Sequence, residues 1–143
     1  MSDLTFSAKA QSENHTKTVV KARGFEMTID EPEDLGGTND GANPVEYILA
    51  ALSGCLNVVG HLVAKEMGFE INDFELEIEG DLDPGKFSGK SETGRAGYKE
   101  IRVNIDVDTD ADRSTLEKWL ETIEERCPVS DNLANETPVK ISL

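Results

Sequence analysis

Basic residues are scarce in this chain: 14 Lys and Arg stand against 29 Asp and Glu, a formal net charge of -15 with a pI near 4.4. A surface this acidic repels polyphosphate and anionic lipid headgroups, which excludes nucleic acid and membranes as partners. It also fits a cytoplasm rich in salt, where carboxylates keep the surface hydrated, as well as it fits an ordinary acidic cytosolic protein. Cysteine is scarcer still. Cys55 and Cys127 lie far apart, and neither CxxC nor HExxH occurs. His15 and His61 are also far apart in sequence, so no metal site and no cofactor is expected. A basic and apolar leader is missing after Met1, so no secretory signal is expected and the setting is read as cytoplasmic. A permanent structural disulfide is disfavoured there, leaving either two free thiols or a redox couple.

Long apolar runs are also rare, and the exception organises the rest. Asn43 to Met67 reads as one helix, with Asn43 as cap and Pro44 at the first helical position, where a missing N–H costs nothing. Tyr47, Ile48, Leu52, Leu56, Val58, Val59, Leu62 and Val63 cover nearly every face, so the expectation is a helix about 37 Å long and buried on all sides. Glu46, Asn57, His61, Lys65 and Glu66 interrupt it, which argues against a membrane span. Ala50, Ala51, Ser53 and Gly54 allow another backbone to come close just before Cys55. At 143 residues the chain is long enough for one domain with a real core.

Around this helix the pattern is one of strands and two further helices. Leu4 to Ala10, Thr16 to Ala22 and Phe25 to Asp30 alternate as a meander, with Arg23-Gly24 at a junction. Glu31 to Ala42, with four acids and three glycines, reads as a loop. Phe74, Leu76 and Ile78 alternate with glutamates, and Ile101, Val103, Ile105 and Val107 with Arg102, Asn104, Asp106 and Asp108. Both stretches predict strands with one wet face, joined through a glycine-rich connection. A helix is expected from near Asp112, with a capping box over Ser114 to Glu117 and a stripe of Leu116, Trp119, Leu120 and Ile123. Pro128 ends it and opens a short helix through Ala134. Thr137 to Leu143, with Val139, Ile141 and Leu143 on one face, predicts a closing strand.

The chemistry these residues allow is thiol chemistry. Cys127 at the N-cap before Pro128 aims its sulfur at unpaired N–H groups and the positive end of a helix dipole, which stabilises a thiolate. Cys55 lies about three turns inside its helix, where the dipole is weak. Two thiols in contrasting surroundings suit a peroxidatic and resolving pair: one attacks an O–O bond, becomes a sulfenic acid, and condenses with the other. That step needs a cation, and Arg23, at a turn just upstream of the loop feeding the helix, is the best placed of few arginines. An apolar wall around Cys55 favours an organic hydroperoxide over hydrogen peroxide.

NPVEYILAALSGC resembles the central-helix motif of the OsmC/Ohr family of osmotically inducible and organic hydroperoxide resistance proteins, and ERCPVSDNL is similar to its second-cysteine motif. The match in pattern and spacing runs from about Gly24 to Leu143. The resemblance implies an α+β fold of antiparallel sheets wrapped around a long central helix, in an interlocked homodimer with two active sites at its interface. It also implies a thiol-dependent peroxidase acting on organic hydroperoxides, with Cys55 peroxidatic and Cys127 resolving, re-reduced by a dithiol of the lipoyl type or by other thiols. In the family's peroxidase subgroups the residue after the Asn-Pro is the glutamate that pairs with a catalytic arginine. Here that position holds Val45 and the acid is Glu46. The expected site is therefore Cys55, Cys127, Arg23 and Glu46, the last orienting Arg23.

Two other readings keep the same residues. A stress-associated dimer that binds a small apolar ligand without turnover accounts for Val45, and a redox sensor would use the thiol pair to alter a partner interaction.

Overall fold

The computed structural model describes residues 1–143 and shows an α+β chain of five strands and three α-helices. It divides into two compact units, Met1–Ile48 and Leu49–Leu143.

In the first unit, β1 (Lys9–Ser12), β2 (Thr18–Ala22) and β3 (Phe25–Ile29) form an antiparallel meander in that order. Asn14 closes the first turn by accepting the N–H groups of Thr16 at 2.9 Å and Lys17 at 2.7 Å. That turn sets Ser12 opposite Thr18, so the first strand begins at Lys9 and not at the expected Leu4. Leu4 and Phe6 lie outside it and are exposed. The second turn is the two-residue Arg23-Gly24, with Ala22 opposite Phe25. Both turn residues have positive φ, 50° and 86°, as the tightest hairpin turns require.

After β3 the chain is held by one buried carboxylate. Asp30 is fully buried and accepts hydrogen bonds from the Thr16 hydroxyl at 2.7 Å, the Glu31 N–H at 2.8 Å, the Asp40 N–H at 3.2 Å and the Thr38 hydroxyl. The acidic loop 31–42 is therefore gathered around Asp30, with a short 3-10 turn at Glu33–Leu35. Burial pushes the Asp30 carboxyl up, but the bonds from Thr38, Thr16, Glu31 and Asp40 outweigh it and hold it well below the usual carboxylate range.

Helix α1 (Pro44–Met67) runs for 24 residues, as the apolar stretch predicts. Asn43 and Glu46 cap it reciprocally: the Glu46 N–H donates to Asn43 Oδ1 and the Asn43 N–H to Glu46 Oε1, each at 2.9 Å. Its burial departs from the expectation. Only Leu52, Leu56, Val59, Gly60, Val63 and Ala64 are buried, while Val58 is 66% and Leu62 47% exposed. The chain's own core covers one side of the helix and leaves the other open. By length and composition α1 could cross a membrane, yet its buried face is spent on the chain's own core, as in a core helix.

In the second unit, β4 (Asp73–Leu82) pairs antiparallel with β5 (Tyr98–Asp108), with an irregularity between Asp81 and Leu82. Phe74, Leu76, Ile78, Ile101, Val103, Ile105 and Val107 line the core side. On the wet side Arg102 reaches Asp81 and Glu100 at 2.7 Å and Glu79 at 3.3 Å. Helix α2 (Arg113–Arg126) starts near Asp112 as expected, but its cap is Asp112 and not Ser114: the Asp112 side chain accepts the Thr115 N–H at 2.8 Å. Its Trp119 and Ile123 are buried against the α1 stripe and Leu116 packs beside them, as the periodicity predicts, but Leu120, the fourth residue of the expected stripe, falls outside the covered face and is exposed. Helix α3 (Pro128–Ala134) follows. Residues 137–143 form no strand, because no sheet edge of this chain pairs with them, and Val139, Ile141 and Leu143 are exposed.

Candidate functional site

Cys127 sits at the corner where α2 ends and α3 begins, and both helices hold it. Its N–H donates to the Ile123 carbonyl and its carbonyl accepts from the Asp131 N–H, each at 2.9 Å. Because Pro128 occupies the first position of α3, Cys127 is the N-cap, and its Sγ accepts the Ser130 N–H at 3.4 Å. The residue is completely buried. Its thiol is thus fixed in direction by backbone on both sides.

Cys55 lies in the middle of α1 and is half-buried beside the core cluster. The two sulfurs are 3.1 Å apart, with Cys127 as donor, and both thiols are free. A disulfide bond is about 2.05 Å long, so about 1 Å of closure separates this pair from a covalent bridge. Burial pushes the Cys55 thiol up; the Val129 N–H, from the first turn of α3, pulls it down, and the Cys127 thiol adds to the upward shift, which prevails. The start of α3 therefore presents N–H groups to both sulfurs. This pair can be oxidised to a disulfide with little rearrangement, while its exposed-side thiol needs help to ionise.

The other expected residues have defined local positions. Arg23 occupies the first place of the β2–β3 turn, with its guanidinium 5.3 Å from the centre of the Phe25 ring. A side chain in left-handed backbone costs about 1–2 kcal/mol, which makes arginine an unusual choice there. Glu46 is engaged by Oε1 in the capping box with Asn43. His61 packs edge-on to Phe74, their rings 6.0 Å apart, and no group of three or more His, Cys, Asp or Glu side chains is arranged to hold a metal ion.

The structure adds three features to those expected. The Asn43 to Glu46 box was legible from its three-residue spacing. The Val129 N–H at Cys55 and the ion pair of Arg126 with Glu66, at 2.6 Å and 3.1 Å, join segments too distant in sequence to signal one another.

Comparison with known proteins agrees with this architecture. The family model described as OsmC-like protein matches residues 37–142. No curated protein matches the sequence. Among solved structures, an OsmC-like protein from Mycoplasma pneumoniae superposes with a TM-score of 0.81 at 19% identity, covering 93% of this chain and 89% of that one. An organic hydroperoxide resistance protein from Elizabethkingia anophelis gives 0.64 at 21% identity, over 91% and 88%. The organic hydroperoxide resistance protein OhrB of Bacillus subtilis gives 0.59 at 25% identity, over 90% and 89%.

Proposed function

Since the chain belongs to the OsmC family, we propose that it is a cytoplasmic, homodimeric thiol peroxidase that reduces organic hydroperoxides, with Cys55 attacking and Cys127 resolving. The observation that carries this reading is the 3.1 Å separation of the two free sulfurs, one of them held rigidly at a helix N-cap. Two structural relatives, both organic hydroperoxide resistance proteins, support the same reading.

The chemistry balances on the two thiols. The Cys55 thiolate attacks the terminal oxygen of ROOH, the O–O bond breaks, and the alkoxide takes a proton to leave as ROH. Cys55 is then a sulfenic acid. The Cys127 thiolate attacks that sulfur, hydroxide leaves and is protonated to water, and a disulfide remains. A dithiol reductant, such as a lipoyl group, exchanges with the disulfide and restores both thiols. Peroxide gains the two electrons the thiols lose.

Because its buried surroundings disfavour the Cys55 thiolate, a cation must steady it. Arg23 takes that role. Its left-handed backbone is the kind of local cost that persists at functional positions. Glu46, anchored in the first turn of α1, orients Arg23 in the assembled dimer. Homodimerisation is supported by α1 itself: Ile48, Ala51, Val58 and Leu62 follow Cys55's side of the helix at three- and four-residue spacings and are exposed. The unpaired apolar alternation of residues 137–143 suits addition to a second copy's sheet edge.

Turnover of cumene hydroperoxide with dihydrolipoamide as reductant tests the assignment. Cys55→Ser abolishes turnover, and Cys127→Ser retains one oxidation per chain but loses dithiol-driven cycling. Full turnover by Cys55→Ser contradicts the proposal. Val45, in the position where peroxidase subgroups carry glutamate, favours the second reading of a ligand-binding dimer; a bound apolar molecule in protein that consumes no peroxide would decide for it.

A further inference from the structure

We infer that the ion pair of Arg126 with Glu66 is a positioning pair that holds the Cys127 thiol against Cys55, an inference that rests on the thiol-pair reading above. Arg126 immediately precedes Cys127 and is the last residue of α2. Its Nη1 donates to Glu66 Oε2 at 2.6 Å and its Nη2 to Glu66 Oε1 at 3.1 Å. This two-pronged geometry fixes direction as well as distance.

Glu66 lies on α1 eleven residues beyond Cys55, which is about three turns along and about 20° around the helix. The ion pair and the sulfur pair thus bridge the same two segments, α1 and the α2–α3 corner, along one side of α1. Cys127 cannot adjust alone, since its N–H, carbonyl and Sγ are all engaged by the corner's own backbone. Where the corner goes, the sulfur goes. Buried Trp119 and Ile123 hold α2 further back, and Arg126 is the polar tether next to the thiol.

Both partners are partly exposed, 40% for Arg126 and 48% for Glu66, so the pair adds little to global stability. Its effect falls on the competition at the Cys55 sulfenic acid. In one path the Cys127 thiolate attacks the sulfenic sulfur, the S–O bond breaks, and water and a disulfide result. In the other a second hydroperoxide oxidises the sulfenic acid to sulfinic acid, with release of ROH. A tethered corner favours the first path.

The test equilibrates the full-length protein in glutathione redox buffers without hydroperoxide and measures the effective concentration of Cys127 at Cys55 from the thiol and disulfide fractions. Glu66→Gln lowers it by about two- to fivefold, the range of a partly exposed ion pair. In 1 M KCl the difference between wild type and Glu66→Gln shrinks, because charges are screened within about 3 Å. Arg126→Lys, which keeps the charge and loses the fork, falls between wild type and Glu66→Gln, and serves should Glu66→Gln fold poorly. Under cumene hydroperoxide, Glu66→Gln accumulates more of the sulfinic product, 32 Da heavier (two oxygen atoms), per turnover. An unchanged effective concentration in folded Glu66→Gln and Arg126→Lys overturns the inference even if the protein is an active peroxidase. Failure to consume peroxide, with the glutathione result as expected, overturns the peroxidase reading and leaves the tether in place.

Discussion

Trp119 donates its indole N–H to the Gly60 carbonyl at 2.8 Å, fastening α2 to α1 five residues beyond Cys55. Gly60 has no room for a side chain beside the Phe74 and Trp119 rings. A Cβ there would stand 2.7 Å from Phe74 Cε1 and 3.2 Å from Trp119 Cζ2. Alanine at a helix interior ordinarily gains about 1 kcal/mol over glycine, so the propensity and the clash oppose each other. The clash wins, since the aromatic rings are packed on one another, 5.4 Å apart. Gly60→Ala is expected to lose about 1–3 kcal/mol, and Trp119→Phe about 1–2 kcal/mol from the missing donor, by urea unfolding. A more stable Gly60→Ala would show that the rings give way.

Asp30 makes the acidic loop's order depend on pH. Its folded-state carboxyl is held below the usual range by hydrogen bonds from Thr38, Thr16, Glu31 and Asp40, despite burial. The stabilisation is therefore present above the unfolded carboxylate value of about 4 and is lost as pH falls below it. Asp30→Asn lowers Tm at pH 7, and the gap to wild type narrows as pH falls toward about 2. A constant gap across that window would remove Asp30's charge from the explanation.

Cys55 has the opposite sign. Its thiol is pushed up by burial against the pull of the Val129 N–H, so the folded state holds the proton more tightly than the unfolded chain. Stability from this group is complete below the ordinary thiol range of about 8.5 and declines as pH rises through the folded value. Cys55→Ser flattens that alkaline decline. If Arg23 steadies the thiolate, iodoacetamide labelling of Cys55 shifts to higher pH in Arg23→Ala; coincident profiles would exclude Arg23.

The exposed side of α1 predicts assembly. Val58 is 66% exposed in the single chain, where a charged replacement stays within about 0.5 kcal/mol of neutral. In a dimer packed on this face the same charge is buried. Val58→Asp is expected to sediment as a folded monomer while wild type sediments as a dimer. A dimeric Val58→Asp would move the interface elsewhere.

Much of this fold is legible in the sequence because its signals are local. Alternation at Phe74 to Ile78 and at Ile101 to Val107 gives β4 and β5, and Asn43-Pro44 and Cys127-Pro128 mark helix starts to within a residue. The N-cap role of Cys127 follows from Pro128 alone. Periodicity does not say whose surface covers an apolar face, so α1 reads as buried all round although Val58 and Leu62 are open. The same gap makes 137–143 read as a strand: alternation shows readiness to pair, and pairing needs an edge. At α2, Asp112 and Ser114 are both competent caps, and only the backbone geometry selects Asp112. The approach of Cys55 to Cys127 is tertiary, set by the packing of Trp119 and Ile123 on α1 and by the Arg126 tether.

The most direct test of the peroxidase account is to add one equivalent of cumene hydroperoxide to the fully reduced protein and weigh the product under non-reducing conditions. The account predicts loss of the peroxide and a decrease of two daltons per chain (two hydrogen atoms), mapped to a Cys55–Cys127 bond. Persistent peroxide with both thiols still reduced would contradict it.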